Sequence, residues 1–132
     1  MTGKDHDSLY EALSECFLEL RVSSRVELRL EASADFRFPA GFTGFHGHFP
    51  GNPILPAIVQ LVAVRFLAER SLGQPLAPTQ HHKIKFKEAI RPGDPVTVNI
   101  VLKNDGAMWG GTFSLKRPDG AAVAVGSVEF TP

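Results

Sequence analysis

Two histidines, His46 and His48, lie in the segment best suited to carry chemistry. The residues around them, 41–56, are rich in glycine, proline and aromatic side chains, which indicates an irregular loop. An imidazole titrates near working pH, so it can take up or release a proton there. The two rings could also pair on a metal, but no third ligand is evident nearby and we expect no metal. A histidine in such a loop is by itself more often structural than catalytic, so the surrounding motif has to decide.

An apolar helix follows the loop and would position its residues. We predict this helix from Pro56 to Leu72, because proline suits the first helical turn. Between residues 58 and 67 the strongly polar side chains are Gln60 and Arg65. A helix that is apolar on nearly every side is buried, so in a small protein a sheet must wrap around it.

Alternation of apolar and polar residues predicts the strands of that sheet. A short amphipathic helix is expected from about Ser8 to Leu20, with Cys16 as a buried thiol, and one long strand from Val26 to Phe38. Turn signals of the Pro-Gly-Asp, Asn-Asp-Gly and Pro-Asp-Gly type separate the later strands. These strands are expected at 83–90, 96–102, 108–115 and 121–130.

Length and composition indicate one ordinary globular domain. The 132 residues are 43% hydrophobic, and 14 basic side chains balance 14 acidic ones, which argues against nucleic-acid binding. A single cysteine excludes an internal disulfide. We find no apolar run of signal-peptide or membrane-spanning type and expect a cytoplasmic protein that does not associate with membranes. We treat 1–132 as one domain, with 1–22 as helix and lead-in and 23–132 as the core.

The most informative segment reads FHGHFPGNPILPAIVQL and begins at Phe45. It resembles the active-site loop and central helix of the beta-hydroxyacyl-acyl carrier protein dehydratases of fatty-acid synthesis. In that family a His-Phe-Pro-Gly turn precedes a Pro-x-x-Pro-Gly helix start, which here become residues 48–51 and 53–57. The resemblance implies the α+β hotdog fold, an antiparallel sheet wrapped around a long central helix. It extends over about 26–130 and includes the segments 84–87 and 91–94.

The resemblance implies loss of water from a 3-hydroxyacyl thioester. A base removes a proton from the carbon next to the thioester carbonyl, and an acid protonates the departing hydroxide. His48 takes the place of the family's catalytic histidine. The backbone amide of Ala57, at the start of the helix, takes the place of the donor that polarises the carbonyl. No cofactor is implied.

Two residues depart from the family pattern. Ala57 stands where the family has glycine, a change that keeps the amide but alters the room around it. The family's acid, a Glu or Asp fourteen positions after the histidine, is replaced by Val62, which has no proton to give. The chain therefore resembles the divergent branch of this fold that includes the aryl-polyene dehydratase-like proteins.

Further residues are expected to contact the substrate or its carrier. Lys83, Lys85 and Lys87 would project from one side of a strand, with Arg91 beyond them. They form either a solvated strand face or a docking patch for an acidic acyl carrier protein or for coenzyme A phosphates. Val62 and Phe66 belong either to the core or to an acyl tunnel. The residues expected to border the acyl group are Phe49, Gly51, Pro56, Val62 and Phe66.

Three functions remain open at this point. The chain is a dehydratase that recruits another acid or a water, a thioesterase on the same fold, or a non-catalytic subunit that binds acyl groups or carrier proteins. The presence of His48 favours an enzyme, and the loss of the acid at Val62 favours binding or altered chemistry. In each case the partner is an acyl thioester of acyl carrier protein or coenzyme A, and a homodimer or a higher even oligomer is expected.

Overall fold

Two helices and six strands make up the described part of the chain. The computed structural model describes residues 2–42 and 54–132. The strands form one antiparallel sheet in the order β1-β2-β4-β5-β6-β3. The elements are α1 Thr2–Cys16, β1 Phe17–Val26, β2 Arg29–Arg37, α2 Ala57–Leu72, β3 Ala77–Phe86, β4 Pro95–Asn104, β5 Trp109–Lys116 and β6 Ala122–Thr131.

The core lies between α2 and one face of the sheet. Alternate residues of β2 and β4 are buried on that face, as the period of two predicts. The buried residues of α2 lie against β2 and β4. The α+β hotdog architecture expected from the sequence is therefore confirmed. The core residues of these three elements include Leu30, Ala32, Ala34, Phe36, Val96, Val98, Ile100, Leu102, Val59, Ala63, Val64 and Leu67.

The predicted first helix and first strand were wrong in their bounds. The first helix ends at Cys16, and the next ten residues form β1, which pairs with β2 in an antiparallel hairpin. Two register shifts in β1 interrupt its alternation and hide the strand period. The hairpin turn is Glu27-Leu28. Neither residue is the Gly, Asn or Asp that marks two-residue hairpin turns, and neither has positive φ. Strand β1 thus crosses the boundary proposed at residue 22.

Helix α2 begins without a side-chain cap and ends on a glycine. Pro56 occupies the N-cap position in extended conformation and makes no capping hydrogen bond. At the other end, Gly73 has φ of 70° and donates its N–H to the Glu69 carbonyl at 2.8 Å. This left-handed conformation favours glycine, which ends the helix there. Among the described residues, no helix is long and apolar enough to cross a bilayer.

Polar contacts join α1 to the far end of α2. The Tyr10 hydroxyl donates to the Glu69 carboxylate, and the Leu76 N–H donates to the same carboxylate at 2.7 Å. Arg65 Nε donates to the Leu76 carbonyl at 2.7 Å. Burial, together with the Glu69 carboxylate, raises the pKa of Tyr10 far above its ordinary value. Burial also raises the pKa of the Cys16 thiol to about 11, which fits the inert thiol expected from the sequence.

Strand β3 forms one edge of the sheet and is exposed along nearly its whole length. It starts at Ala77, six residues before the start expected from the sequence, and ends at Phe86. Lys83 has φ of 51°, and the pairing with β6 shifts register between His82 and Lys85. In the middle of the sheet, the pairing of β4 with β5 is regular and leaves no room for a side chain at Gly111, where a Cβ would lie 1.9 Å from the Val101 carbonyl oxygen.

Candidate active site

A cleft of about 370 Å³ opens at the start of α2. One wall consists of the residues just before the helix and of the first turn of the helix. The other wall is the end of β3 and the residues that follow it. Two other concave regions, at the β4–β5 turn and beside Tyr10 at the far end of α2, contain no free helix start. The residues that line the cleft are Ile54, Leu55, Pro56, Ala57, Gln60, Phe86, Lys87, Glu88 and Ala89.

Two backbone amides at the start of α2 lack an acceptor among the described residues. The Val59 and Gln60 amides both donate to the Pro56 carbonyl, at 3.1 and 3.2 Å. The amides of Ala57 and Ile58 have no acceptor within residues 2–42 and 54–132. The first turn also carries no acidic side chain. Free N–H groups at the positive end of a helix stabilise a carbonyl oxygen on which negative charge develops.

Backbone hydrogen bonds hold both walls of the cleft in place. The Leu55 N–H donates to the Ile90 carbonyl at 2.8 Å, which fixes the chain just before the helix. The N–H groups of Lys87 and Glu88 both donate to the Val123 carbonyl on β6, at 2.8 and 3.3 Å. The segments on both sides of the cleft are thus anchored to the rest of the domain, whereas none of these bonds involves the amides of Ala57 and Ile58.

Gln60 is the one buried polar side chain recorded in the described core. It is 4% exposed and lies in the wall of the cleft. Its Nε2 donates to the Leu55 carbonyl at 3.3 Å, whereas Oε1 accepts no hydrogen bond from the described residues. A buried acceptor without a donor costs free energy, so such groups call for an explanation. The sequence shows Gln60 as a polar residue in an apolar run, but not that its Oε1 lacks a donor in the described part of the chain.

One carboxylate, Glu88, lines the cleft. Its Oε2 accepts from Arg117 Nε at 3.1 Å, and Arg117 also contacts Asp94 at 3.4 Å and the Ala89 carbonyl at 2.9 Å. Hydrogen bonding to Glu88 raises the pKa of Arg117 above its ordinary value. Glu69 lies at the other end of α2, held by Tyr10 and Leu76, so it is remote from the helix start.

The structure brings some of the expected site residues together and leaves others apart. Pro56 and Ala57 line the cleft. Val62 is half-buried and packs against the core, and it is not part of the cleft lining. Phe66 is buried in an aromatic cluster, 5.9 Å from the ring of Phe36, and also lies outside the lining. His48, Phe49 and Gly51, together with His46, lie outside the described residues.

One of the basic residues expected to dock a carrier lies at this cleft. Lys83, Lys85, Lys87 and Arg91 are all exposed, and Lys87 lines the cleft. The shared strand face predicted for the lysines is not maintained, because the backbone at Lys83 breaks the alternation and Lys87 follows the end of β3. Within the described residues no three histidine, cysteine or carboxylate side chains are grouped as metal ligands.

Comparison with solved structures supports the fold. The chain superposes on "The Dehydratase Heterocomplex ApeI:P from Xenorhabdus doucetiae" with a TM-score of 0.71 and 19% identity, covering 88% of this chain and 96% of that one. It also superposes on a hypothetical thioesterase with coenzyme A from Streptococcus pneumoniae, with a TM-score of 0.63, 10% identity and coverage of 95% and 94%. At such low identity these likenesses concern the fold alone.

Comparison of sequences identifies the family. A 3-hydroxyacyl-[acyl-carrier-protein] dehydratase FabZ from Oenococcus oeni is 35% identical over 83 residues, which are 58% of this chain and 60% of that protein. The chain thus spans less than two thirds of the length of the curated relatives it matches. The family model of the ApeI-like proteins, described as ApeI dehydratase, matches residues 23–127. Since this match covers most of the chain, the protein belongs to the ApeI-like dehydratase family.

Proposed function

We propose that the protein acts on acyl thioesters as a 3-hydroxyacyl-thioester dehydratase of altered chemistry, with the cleft at the start of α2 as its active site. The observation that carries this proposal is the pair of amides at Ala57 and Ile58, which have no acceptor among the described residues and belong to the helix turn that begins at the cleft, where Ala57 is part of the lining. They directly follow the motif that contains His48.

In the proposed reaction the substrate's thioester carbonyl accepts hydrogen bonds from the helix amides. This polarisation makes the protons on the adjacent carbon more acidic. His48 Nε2 or Nδ1 removes one of these protons, and the electron pair left behind forms the C2–C3 double bond as the C3–O bond breaks. The departing hydroxide takes up a proton, so the products are an enoyl thioester and water.

The proton for the leaving hydroxide is the step that residue 62 cannot supply. Val62 has no ionisable group. Glu88 lies in the cleft wall, but its carboxylate is engaged by Arg117, so we assign the proton to a water or to the imidazolium of His48. A water or the His48 imidazolium protonates the leaving hydroxide less effectively than a carboxyl group positioned for that step. We therefore expect slow turnover on ordinary fatty 3-hydroxyacyl substrates.

The substrate's carrier is proposed to approach over the basic residues next to the cleft. Lys83, Lys85, Lys87 and Arg91 are exposed and lie along or just after β3. Such charges suit either the acidic surface of an acyl carrier protein or the phosphates of coenzyme A. The alternative, which needs no ligand, is a solvated strand face.

We also propose a homodimer, or a multiple of it, in which β3 pairs with β3 of the partner. The β3 edge is open, and the apolar side chains of Phe86 and Ile58 beside it are 43% and 64% exposed. Because Phe86 and the first turn of α2 form opposite walls of the cleft, a partner at this edge would close the site against water.

Incubation with 3-hydroxyacyl and enoyl thioesters of pantetheine, followed by mass spectrometry, tests the proposed function. We expect loss of water from the 3-hydroxyacyl thioester and its addition to the enoyl thioester. Release of the free acid and thiol would instead identify a thioesterase. Binding of the thioesters without either change would identify a non-catalytic acyl-binding protein, and both of these results contradict the dehydratase assignment.

A further inference from the structure

The unpaired oxygen of Gln60 is the second polar feature of the cleft, beside the helix amides. The carboxamide is held from one side only, by the 3.3 Å hydrogen bond from Nε2 to the Leu55 carbonyl. Oε1 remains buried and accepts no hydrogen bond from residues 2–42 or 54–132. Gln60 contributes to the cleft wall, so a donor bound in the cleft lies next to this side chain, and a turn of the carboxamide brings Oε1 into contact with it.

The chemistry of an acceptor restricts what it can recognise. A thioester carbonyl carries only acceptor atoms and cannot pair with Oε1, whereas it suits the N–H groups of Ala57 and Ile58. A hydroxyl group donates and therefore suits Oε1. The first helical residue, Ala57, and Gln60 are separated by about 4.5 Å along the helix axis at 1.5 Å per residue. The cleft thus presents donors and an acceptor one helical turn apart.

We infer that Gln60 Oε1 accepts a hydrogen bond from the C3 hydroxyl of the substrate, an inference that rests on the proposed function. This hydrogen bond selects 3-hydroxyacyl over unsubstituted acyl thioesters. The carbonyl and the C3 hydroxyl of such a substrate are two carbons apart, so one molecule can reach both the helix amides and Gln60. A carboxamide does not release a proton at working pH, so Gln60 holds the hydroxyl without acting as its acid.

Ligands that cannot react test this inference separately from catalysis. The probes are the hexanoyl and 3-hydroxyhexanoyl amides of pantetheine, in which nitrogen replaces the thioester sulfur, and calorimetry gives the Kd of each. The native protein should bind the hydroxylated amide about tenfold more tightly, because the unsubstituted one leaves the buried Oε1 unpaired. In Gln60→Met, which keeps the size but removes the acceptor, the two Kd values should become equal.

Gln74→Met is the matched control, because Gln74 lies at the far end of α2 and outside the cleft. It should keep the native preference. Equal binding of both amides by the native protein overturns the inference while leaving the proposed function intact, and this result needs no variant. A Gln60→Met protein that loses stability and both ligands alike would mark Gln60 as structural and also overturns it. If neither amide binds the native protein, the proposed function itself fails.

Discussion

His48 is the residue to which we assign the base, and its replacement tests that assignment directly. If the protein dehydrates 3-hydroxyacyl thioesters, His48→Ala should lower kcat by about 10²- to 10⁴-fold, the usual contribution of general acid–base catalysis. Initial rates of enoyl thioester formation measure the effect. His46→Ala is the control, since it removes the neighbouring ring of the same loop and should leave the rate nearly unchanged. Equal losses in both variants would contradict the assignment.

Val62 occupies the position of the missing acid, so a carboxyl group restored there should speed dehydration. Val62 lies outside the cleft lining of its own chain, so this prediction depends on the proposed dimer bringing residue 62 of one subunit to the site of the other. In that arrangement we expect Val62→Glu to raise the rate by about tenfold or more, because a carboxyl group replaces water as the proton donor. The same change should destabilise the protein by about 1–3 kcal/mol, since Val62 packs against the core and a polar group is buried in its place.

Val62→Gln separates the two effects of that substitution. It carries the same burial cost but has no proton to give, so we expect the loss of stability without the gain in rate. Initial rates and urea unfolding measure both quantities. If the native protein already turns over such substrates at about 10 s⁻¹, the median rate of enzymes, the acid lies elsewhere and our interpretation of Val62 is wrong.

At the scale of single residues, the sequence pointed to one residue of the cleft and missed two others. Ala57 was expected to offer its amide to the substrate, and the structure places this residue in the cleft lining, while the role of its amide stays a prediction. Gln60 and Glu88 were not expected there. The pairing of a side-chain oxygen depends on what the fold places around it, and Glu88 reaches the cleft only because β6 holds the chain after β3 against the helix start.

At the scale of the elements, long regular patterns predicted the structure and short irregular ones did not. Helix α2 and strands β4, β5 and β6 lie within a few residues of their expected positions. The β1–β2 hairpin was missed because its turn, Glu27-Leu28, has no turn residues, and the alternation continues through it. Tertiary pairing with β2 then decides that Phe17 to Leu20 form a strand and not the end of a helix.

The close approach of β4 and β5 gives a stability prediction at this scale. A Cβ at Gly111 would lie 1.9 Å from the Val101 carbonyl oxygen, so Gly111→Ala has to push the strands apart. We expect a loss of about 1–3 kcal/mol in the free energy of unfolding, measured by urea denaturation. At the neighbouring Gly110 the nearest atom would be 3.5 Å away, so Gly110→Ala should cost far less. Similar losses in both would refute the packing argument.

For the whole molecule, the prediction concerns assembly. Light scattering at micromolar concentration should give twice the chain mass of 14.4 kDa, or an even multiple of it. Phe86→Asp should weaken this assembly, because it places a charge at the β3 edge. Leu18→Asp is the control, since Leu18 is an exposed apolar residue on β1 at the opposite edge of the sheet. A strictly monomeric native protein would contradict the interface and the closed site that depends on it.

The uncapped start of α2 couples ligand affinity to the folding of one helical turn. A turn whose first amides lack acceptors among the described residues frays more easily than a capped one. A carbonyl oxygen bound there takes over the role of the N-cap and draws the turn into its helical state. Part of the binding free energy is therefore spent on ordering residues 57–60, and substitutions that rigidify this turn act on affinity without touching the ligand.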